Sequence, residues 1–229
     1  LSKVFFGNSG AEANECAIKL ARKWGMEQSP EKNRVVTLQN SFHGRTVTTL
    51  AVTGQEEFHK RFFPFTEGFD YAPANDLDAV EQAITDQTCA VMVELIQGEG
   101  GMFLLEKEFV QGLRKLCDEK NVLLLVDEVQ TGVGRTGAFY CYQNFGILPD
   151  VVSSAKGLGG GLPIGACLCG EKLQNVLTSG MHGSTFGGNP IVCAAALEVL
   201  SRVNRPEFLA EVTEKGEYFR EKLSKLPRV

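Results

Sequence analysis

Long apolar runs are missing from this 229-residue chain. No stretch approaches the roughly 18–20 apolar residues that a helical membrane span requires. Basic tracts are missing too, and the formal net charge is −5. That balance argues against a nucleic-acid groove, which needs a basic stripe. Histidine is scarce: only His43, His59 and His182 occur, and none stands at zinc-site spacing from a cysteine. There is no C-x-x-C pair among the seven cysteines, whose number is odd and whose spacing is scattered. They read as reduced core thiols of a cytoplasmic protein, not as a metal cluster or a disulfide framework. Internal repeats and low-complexity tracts are also absent.

What is present is an alternation of apolar runs and helical patterns. The runs at 34–39, 89–96, 122–129, 150–155 and 165–170 read as strands. Several are apolar at every position, which predicts a sheet covered on both faces. Residues 11–25, 76–84 and 107–120 carry apolar stripes at helical spacing with charge opposite. Residues 189–203 and 205–223 are further helix candidates, the second with Pro206 placed for a helix start. This order predicts an α/β fold with a mainly parallel sheet and helices on both faces. KVFF, near Leu1, reads as a buried strand, and the chain closes just after a helix-like stretch. Both ends look cut, so a segment of a longer protein is expected.

Six strings carry chemistry. GNSGAEAN (7–14) joins a strand to a helix start through a glycine turn, an arrangement that offers backbone N–H groups to a phosphate. Ser9 adds a hydroxyl; an ordinary serine cap is the plain alternative. The string has neither dinucleotide nor Walker spacing. NSFHGRT (40–46) sets Phe42 and Arg45 after a strand, the edge where open α/β sheets bind ligands. Phe42 suits stacking and Arg45 a two-pronged carboxylate clamp, or they are a core ring and a solvated cation. VELIQGEGG (93–101) puts Glu94 at the end of an apolar run, where it needs a partner or faces a site.

Asp127 ends the run Leu123–Val126 and should be buried. Kept charged, it should face a cation, and a pyridinium nitrogen is one candidate; Gln130 then reaches the ring oxygen. A structural aspartate capping a loop is the alternative. Lys156 lies between Val151-Val152 and a glycine cluster, crowded by small residues. It reads as a phosphate lysine, a solvated residue or a Schiff-base lysine. Lys156 and Asp127 together fit pyridoxal phosphate, which needs an amine and a buried negative charge. GSTFGGNP (183–190) places Ser184 and Thr185 before a helix, as a phosphate contact or a plain cap.

With these strings in this order, the chain resembles the class III pyridoxal-phosphate aminotransferases over its whole length. AKGLGGGLPIGA and STFGGNP resemble the acetylornithine/ornithine branch, and SFHGRT favours its acetylornithine members. The resemblance implies a fold type I large domain, like that of aspartate aminotransferase, over residues 1–203. Residues 204–229 then lead into a small domain beyond the chain. It implies transfer of the terminal amino group of N-acetylornithine to 2-oxoglutarate. Lys156 moves the proton, Asp127 pairs with the ring nitrogen, Val129 and Phe42 cover the two ring faces, and Gln130 meets the ring oxygen. Ser9, Gly10 and Ala11 hold the phosphate. Thr185 reaches a neighbouring subunit's phosphate, implying a homodimer with shared sites. Arg45 and Ser184 bind the amino donor, and Glu94 pairs with an arginine outside this chain. Two positions depart from the pattern: Leu95 replaces a proline, and Ala11 a frequent threonine. Ornithine, succinylornithine or another omega-amino acid, such as a lysine-pathway amine, as donor, or a non-catalytic phosphate- or nucleotide-binding α/β module, are the rival readings.

Overall fold

The computed structural model describes residues 1–227. Strand β1 (Lys3–Gly7) runs into helix α1 (Gly10–Met26), followed by β2 (Arg34–Leu38) and α2 (Val47–Val52). Next come β3 (Phe69–Ala72), α3 (Leu77–Ala83) and β4 (Thr88–Val93). A two-strand hairpin of β5 (Ile96–Gln97) and β6 (Phe103–Leu104) precedes α4 (Lys107–Glu119) and β7 (Leu123–Asp127). Short helix α5 (Tyr142–Phe145), β8 (Val151–Ser154) and β9 (Gly165–Cys169) follow, then α6 (Pro190–Val203) and α7 (Pro206–Leu223).

Seven strands form one sheet in the order β1-β9-β8-β7-β4-β2-β3. Only β9 runs against the others: it pairs antiparallel with both β8 and β1, while every other pairing is parallel. The central strands are apolar at every position because each face is covered by a different helix layer. Val91 and Val93 of β4 and Leu124 and Val126 of β7 join Leu113 and Cys117 of α4 in one core. Their alternate neighbours Ala90, Met92, Leu123 and Leu125 join Ala17 and Leu20 of α1 in the other.

Some expectations fail for identifiable reasons. KVFF is not buried: β1 is an edge strand, with Val4 exposed and Phe5 and Phe6 half-buried. Helix α2 (VTTLAV) is built from β-branched residues with weak helix propensity. It forms because the Thr46 and Thr49 side chains make a reciprocal capping box. Among the described residues no helix is long and apolar enough to cross a membrane. The expected segment 204–229 runs past the described residues at 228–229; its described part is α7, which buries no residue.

Candidate active site

Six strands point the same way, so the ends of β1, β2, β4, β7 and β8 meet at one sheet edge. This is where α/β sheets bind ligands. A cavity of about 470 Å³ opens there. From β1 and α1 it takes Ser9, Gly10, Ala11 and Asn14. The loop after β2 adds Phe42 and His43, and the end of β4 adds Glu94. From β7 and the turn beyond come Asp127, Val129 and Gln130, and from the end of β8 comes Lys156.

Ser9 caps α1, its Oγ accepting the Glu12 N–H at 3.2 Å. The first N–H groups of α1 have no acceptor within the helix and sit at the positive end of its dipole. Two close approaches fix this turn. A Cβ on Gly10 would lie 2.7 Å from Val129 Cγ1, and one on Gly165 would lie 2.1 Å from the Ser9 carbonyl oxygen. Neither position has room for a side chain.

Asp127 is 3% exposed. Its Oδ2 accepts from Asn14 Nδ2 at 2.7 Å and faces His43 Nδ1 at 2.8 Å. Its Oδ1 accepts the Val129 N–H at 3.0 Å and the Ser153 hydroxyl at 3.3 Å. Since a carboxylate only accepts, His43 donates from Nδ1, and its Nε2 lies 3.4 Å from Thr37 Oγ1. Asn14 Oδ1 is buried and has no partner among the described residues. A buried orphan acceptor beside a cavity calls for a donor from a bound group.

Lys156 follows β8 with φ of 45°, a left-handed conformation costly for a residue with a side chain. Its Nζ donates a hydrogen bond to Gln130 Oε1. On the opposite wall, Glu94 accepts the Phe42 N–H at 2.8 Å. Burial pushes its carboxyl up to about 7. No ion pair from lysine or arginine reaches Glu94 among the described residues.

Nine of the twelve sequence candidates therefore line one cavity: Ser9, Gly10, Ala11, Phe42, Glu94, Asp127, Val129, Gln130 and Lys156. Three do not. Arg45 lies at the rim, its guanidinium 5.6 Å from the Phe42 ring centre. Ser184 accepts from Asn8 Nδ2 at 3.0 Å, just outside the lining, and Thr185 is exposed. Asn14 and His43 also line the cavity and bond Asp127, and the motifs did not single them out. Asn14 carried a signal, as an amide on the apolar stripe of α1. One string at 132–137, GVGRTG, has dinucleotide spacing, but it forms turns and no full-length helix follows it.

The profile of the family described as aminotransferase class-III matches residues 1–228. The chain belongs to the class III aminotransferase family. An acetylornithine aminotransferase from Caldanaerobacter subterraneus is 51% identical over 227 residues, covering 99% of this chain and 58% of the relative. A succinylornithine transaminase from Yersinia pseudotuberculosis is 52% identical over 231 residues, covering 98% and 56%. Among solved structures, the ornithine aminotransferase of Toxoplasma gondii superimposes with a TM-score of 0.92 at 38% identity, covering 97% of this chain and 54% of that one. The N-acetylornithine aminotransferase of Stenotrophomonas maltophilia gives 0.80 at 36%, covering 98% and 54%. This class III chain thus spans a little more than half the length of these relatives.

Proposed function

We propose that the protein containing this chain is a pyridoxal-phosphate-dependent transaminase. It moves the terminal amino group of N2-acetyl-L-ornithine to 2-oxoglutarate, in arginine biosynthesis. One observation carries the reading: an amine, a buried carboxylate and a helix-start amide turn open on one cavity, as Lys156, Asp127 and Ser9–Ala11.

The donor set fits pyridoxal phosphate. The α1 N-terminus suits its phosphate. Asp127 and the orphan Asn14 oxygen suit a protonated ring nitrogen, and Val129 and Phe42 suit its flat faces. When bound, the cofactor supplies an electron sink conjugated to the amine-bearing carbon of the substrate. Lys156 Nζ would move the proton from that carbon toward the cofactor in the first half-reaction, and from the cofactor to the carbon of 2-oxoglutarate that gains the amine in the second. Gln130 holds Nζ on that side of the cavity. Asn14, His43 and Ser153 fix the Asp127 carboxylate so that it needs no reorganisation during turnover. Glu94 stands where a carboxylate of one substrate and a cation from outside this chain meet. Thr185, carried outward on the 183–190 loop, is read as a contact to a second copy, making a homodimer with shared sites. Residues 1–203 are assigned as the large domain and 204–229 as the lead into a small domain.

N-succinylornithine is a second reading, favoured by the 52% identity to a succinylornithine transaminase. Comparative rates on the full-length protein separate these donors. The chemistry itself is tested with borohydride. The wild-type full-length protein should be yellow and should retain a covalently fixed cofactor after reduction. Lys156→Ala should retain none; retention by the variant overturns the assignment of Lys156.

A further inference from the structure

Arg45 is exposed, yet it forms no hydrogen bond or ion pair with an acid among the described residues. Two aromatic rings hold it instead. Its guanidinium carbon lies 5.1 Å from the Phe58 ring centre and 5.6 Å from that of Phe42. The two rings are 5.9 Å apart, tilted at 60°. Phe42 lines the cavity, so this cation stands at its mouth.

The manner of holding matters. A carboxylate partner would occupy the in-plane N–H donors of the guanidinium. An aromatic face attracts the cation through its quadrupole and leaves those donors open. The arrangement is also braced. Phe58 sits in a short 3-10 turn (Glu56–Lys60). The next residue, His59, meets the Leu50 carbonyl oxygen at 3.0 Å and packs against Phe65 and Tyr71. Gln55 Nε2 donates to the Ser41 carbonyl oxygen at 3.0 Å, and the Gly54 N–H donates to Ser41 Oγ at 3.0 Å. The turn carrying Phe58 is thereby fastened to the loop carrying Phe42 and Arg45.

We propose that Phe58 is a positioning residue for carboxylate recognition: with Phe42 it holds Arg45 aimed and unpaired, ready for the carboxylate of the amino donor. This rests on reading Arg45 as a donor-binding residue. Phe58 acts through Arg45 and touches no reacting atom.

The test uses full-length holoenzyme and two donors that differ by one group, N-acetylornithine and N-acetylputrescine, which lacks the carboxylate. Phe58→Leu keeps bulk and removes the aromatic face. It should raise KM for N-acetylornithine about twofold to fivefold, the scale of one exposed cation–π contact. It should leave kcat within about twofold and kcat/KM for N-acetylputrescine unchanged. Phe58→Tyr should restore wild-type behaviour. A readout independent of turnover is calorimetric binding of N-acetylnorvaline, an unreactive analogue lacking the terminal amine. Its Kd should weaken by a similar factor in Phe58→Leu and recover in Phe58→Tyr. Equal losses with both donors, a fall in kcat with KM unchanged, or no rescue by tyrosine at a wild-type melting temperature each overturn the proposal. Arg45→Gln separates the layers. If it abolishes discrimination between the donors while Phe58→Leu leaves discrimination at the wild-type value, the role of Phe58 alone is overturned. If it leaves discrimination intact, the carboxylate reading of Arg45 falls and the proposal falls with it.

Discussion

The floor of the cavity and the C-terminal third of the chain are built to opposite standards. On the floor, Asp127 is 3% exposed, His43 is 2% exposed, and each carboxylate oxygen of Asp127 has two partners from this chain. On α6 and the loop before it, Phe186, Ile191 and Leu197 are 70%, 74% and 67% exposed. Helix α7 buries nothing. The groups assigned to hold the cofactor ring and move its proton are thus complete within this chain. The rim and the Glu94 wall, where donor and acceptor specificity would be set, are not: Glu94 has no lysine or arginine partner among the described residues, and Thr185 is exposed. That contrast explains why the family is legible in a chain that spans little more than half the length of its relatives.

The largest effect should come from the floor. Lys156→Ala in the full-length protein should lower kcat at least ~10³-fold, the loss expected when a positioned proton-transfer group is removed. The melting temperature should stay within a few degrees, since Lys156 is exposed. Single-turnover kinetics check the first point and thermal denaturation the second. A residual rate within tenfold of wild type would break the comparison, because the floor would then not be where the proton moves.

Paired truncations probe the same contrast in stability. Leu124 is fully buried between β4 and β8, so Leu124→Ala should cost about 2–5 kcal/mol. Leu197→Ala should cost less than about 0.5 kcal/mol if its face stays open in the full-length protein. Denaturant unfolding measures both. A cost above about 2 kcal/mol for Leu197 would mean that this face is covered in the complete molecule.

Much of the floor was legible because burial constrains composition. A central parallel strand covered on both sides must be apolar, so Asp127 at the end of Leu123–Val126 stands out. The direction of β9 was not legible, because strand period is the same in either direction. Strand β3 (FDYA) was missed because Asp70 interrupts it; that residue is an ion-pair partner for Arg34 across the adjacent strand. His43 and Asn14 were missed for another reason. Their common partner lies 84 and 113 residues away. Only the folded sheet edge brings the three together.

Glu94 offers a pH test of whether the rim is completed from outside this chain. Burial raises its carboxyl from 4.5 to about 7 in the folded state. The native state therefore binds more protons than the unfolded state between those values. Its contribution to stability is full below about pH 4.5 and is lost as pH rises to about 7. The upper limit, from the free energy equivalent to that difference between folded and unfolded midpoints, is about 3 kcal/mol. Glu94→Gln should flatten that decline in cofactor-free protein. If the full-length wild type already shows no decline, a cation from beyond this chain meets Glu94. A decline equal in wild type and variant would assign it to other groups, Glu128 first, since burial raises its carboxyl as well.

A modest effect is expected where floor and rim touch. Ser184 Oγ accepts from Asn8 Nδ2 at 3.0 Å and from the Gly187 N–H at 3.1 Å. Asn8 is also tied to Glu12 and directly precedes the Ser9–Ala11 turn. Gly187 packs so tightly that a Cβ there would lie 2.1 Å from the Phe6 carbonyl oxygen. The loop carrying Thr185 is thus fastened to the turn assigned to the phosphate. Ser184→Ala removes one acceptor for two donors, at a cost of about 1 kcal/mol, or a few degrees of melting temperature. If Thr185 serves a neighbouring subunit's cofactor, the same variant should weaken pyridoxal phosphate binding several-fold, measured by equilibrium dialysis on the full-length protein. Thr185→Val should weaken it at least as much, because it removes the contact itself. Weakening by Ser184→Ala alone would make the loop a brace for its own subunit's phosphate turn, and the rim would then owe less to a second copy than the exposed Thr185 suggests.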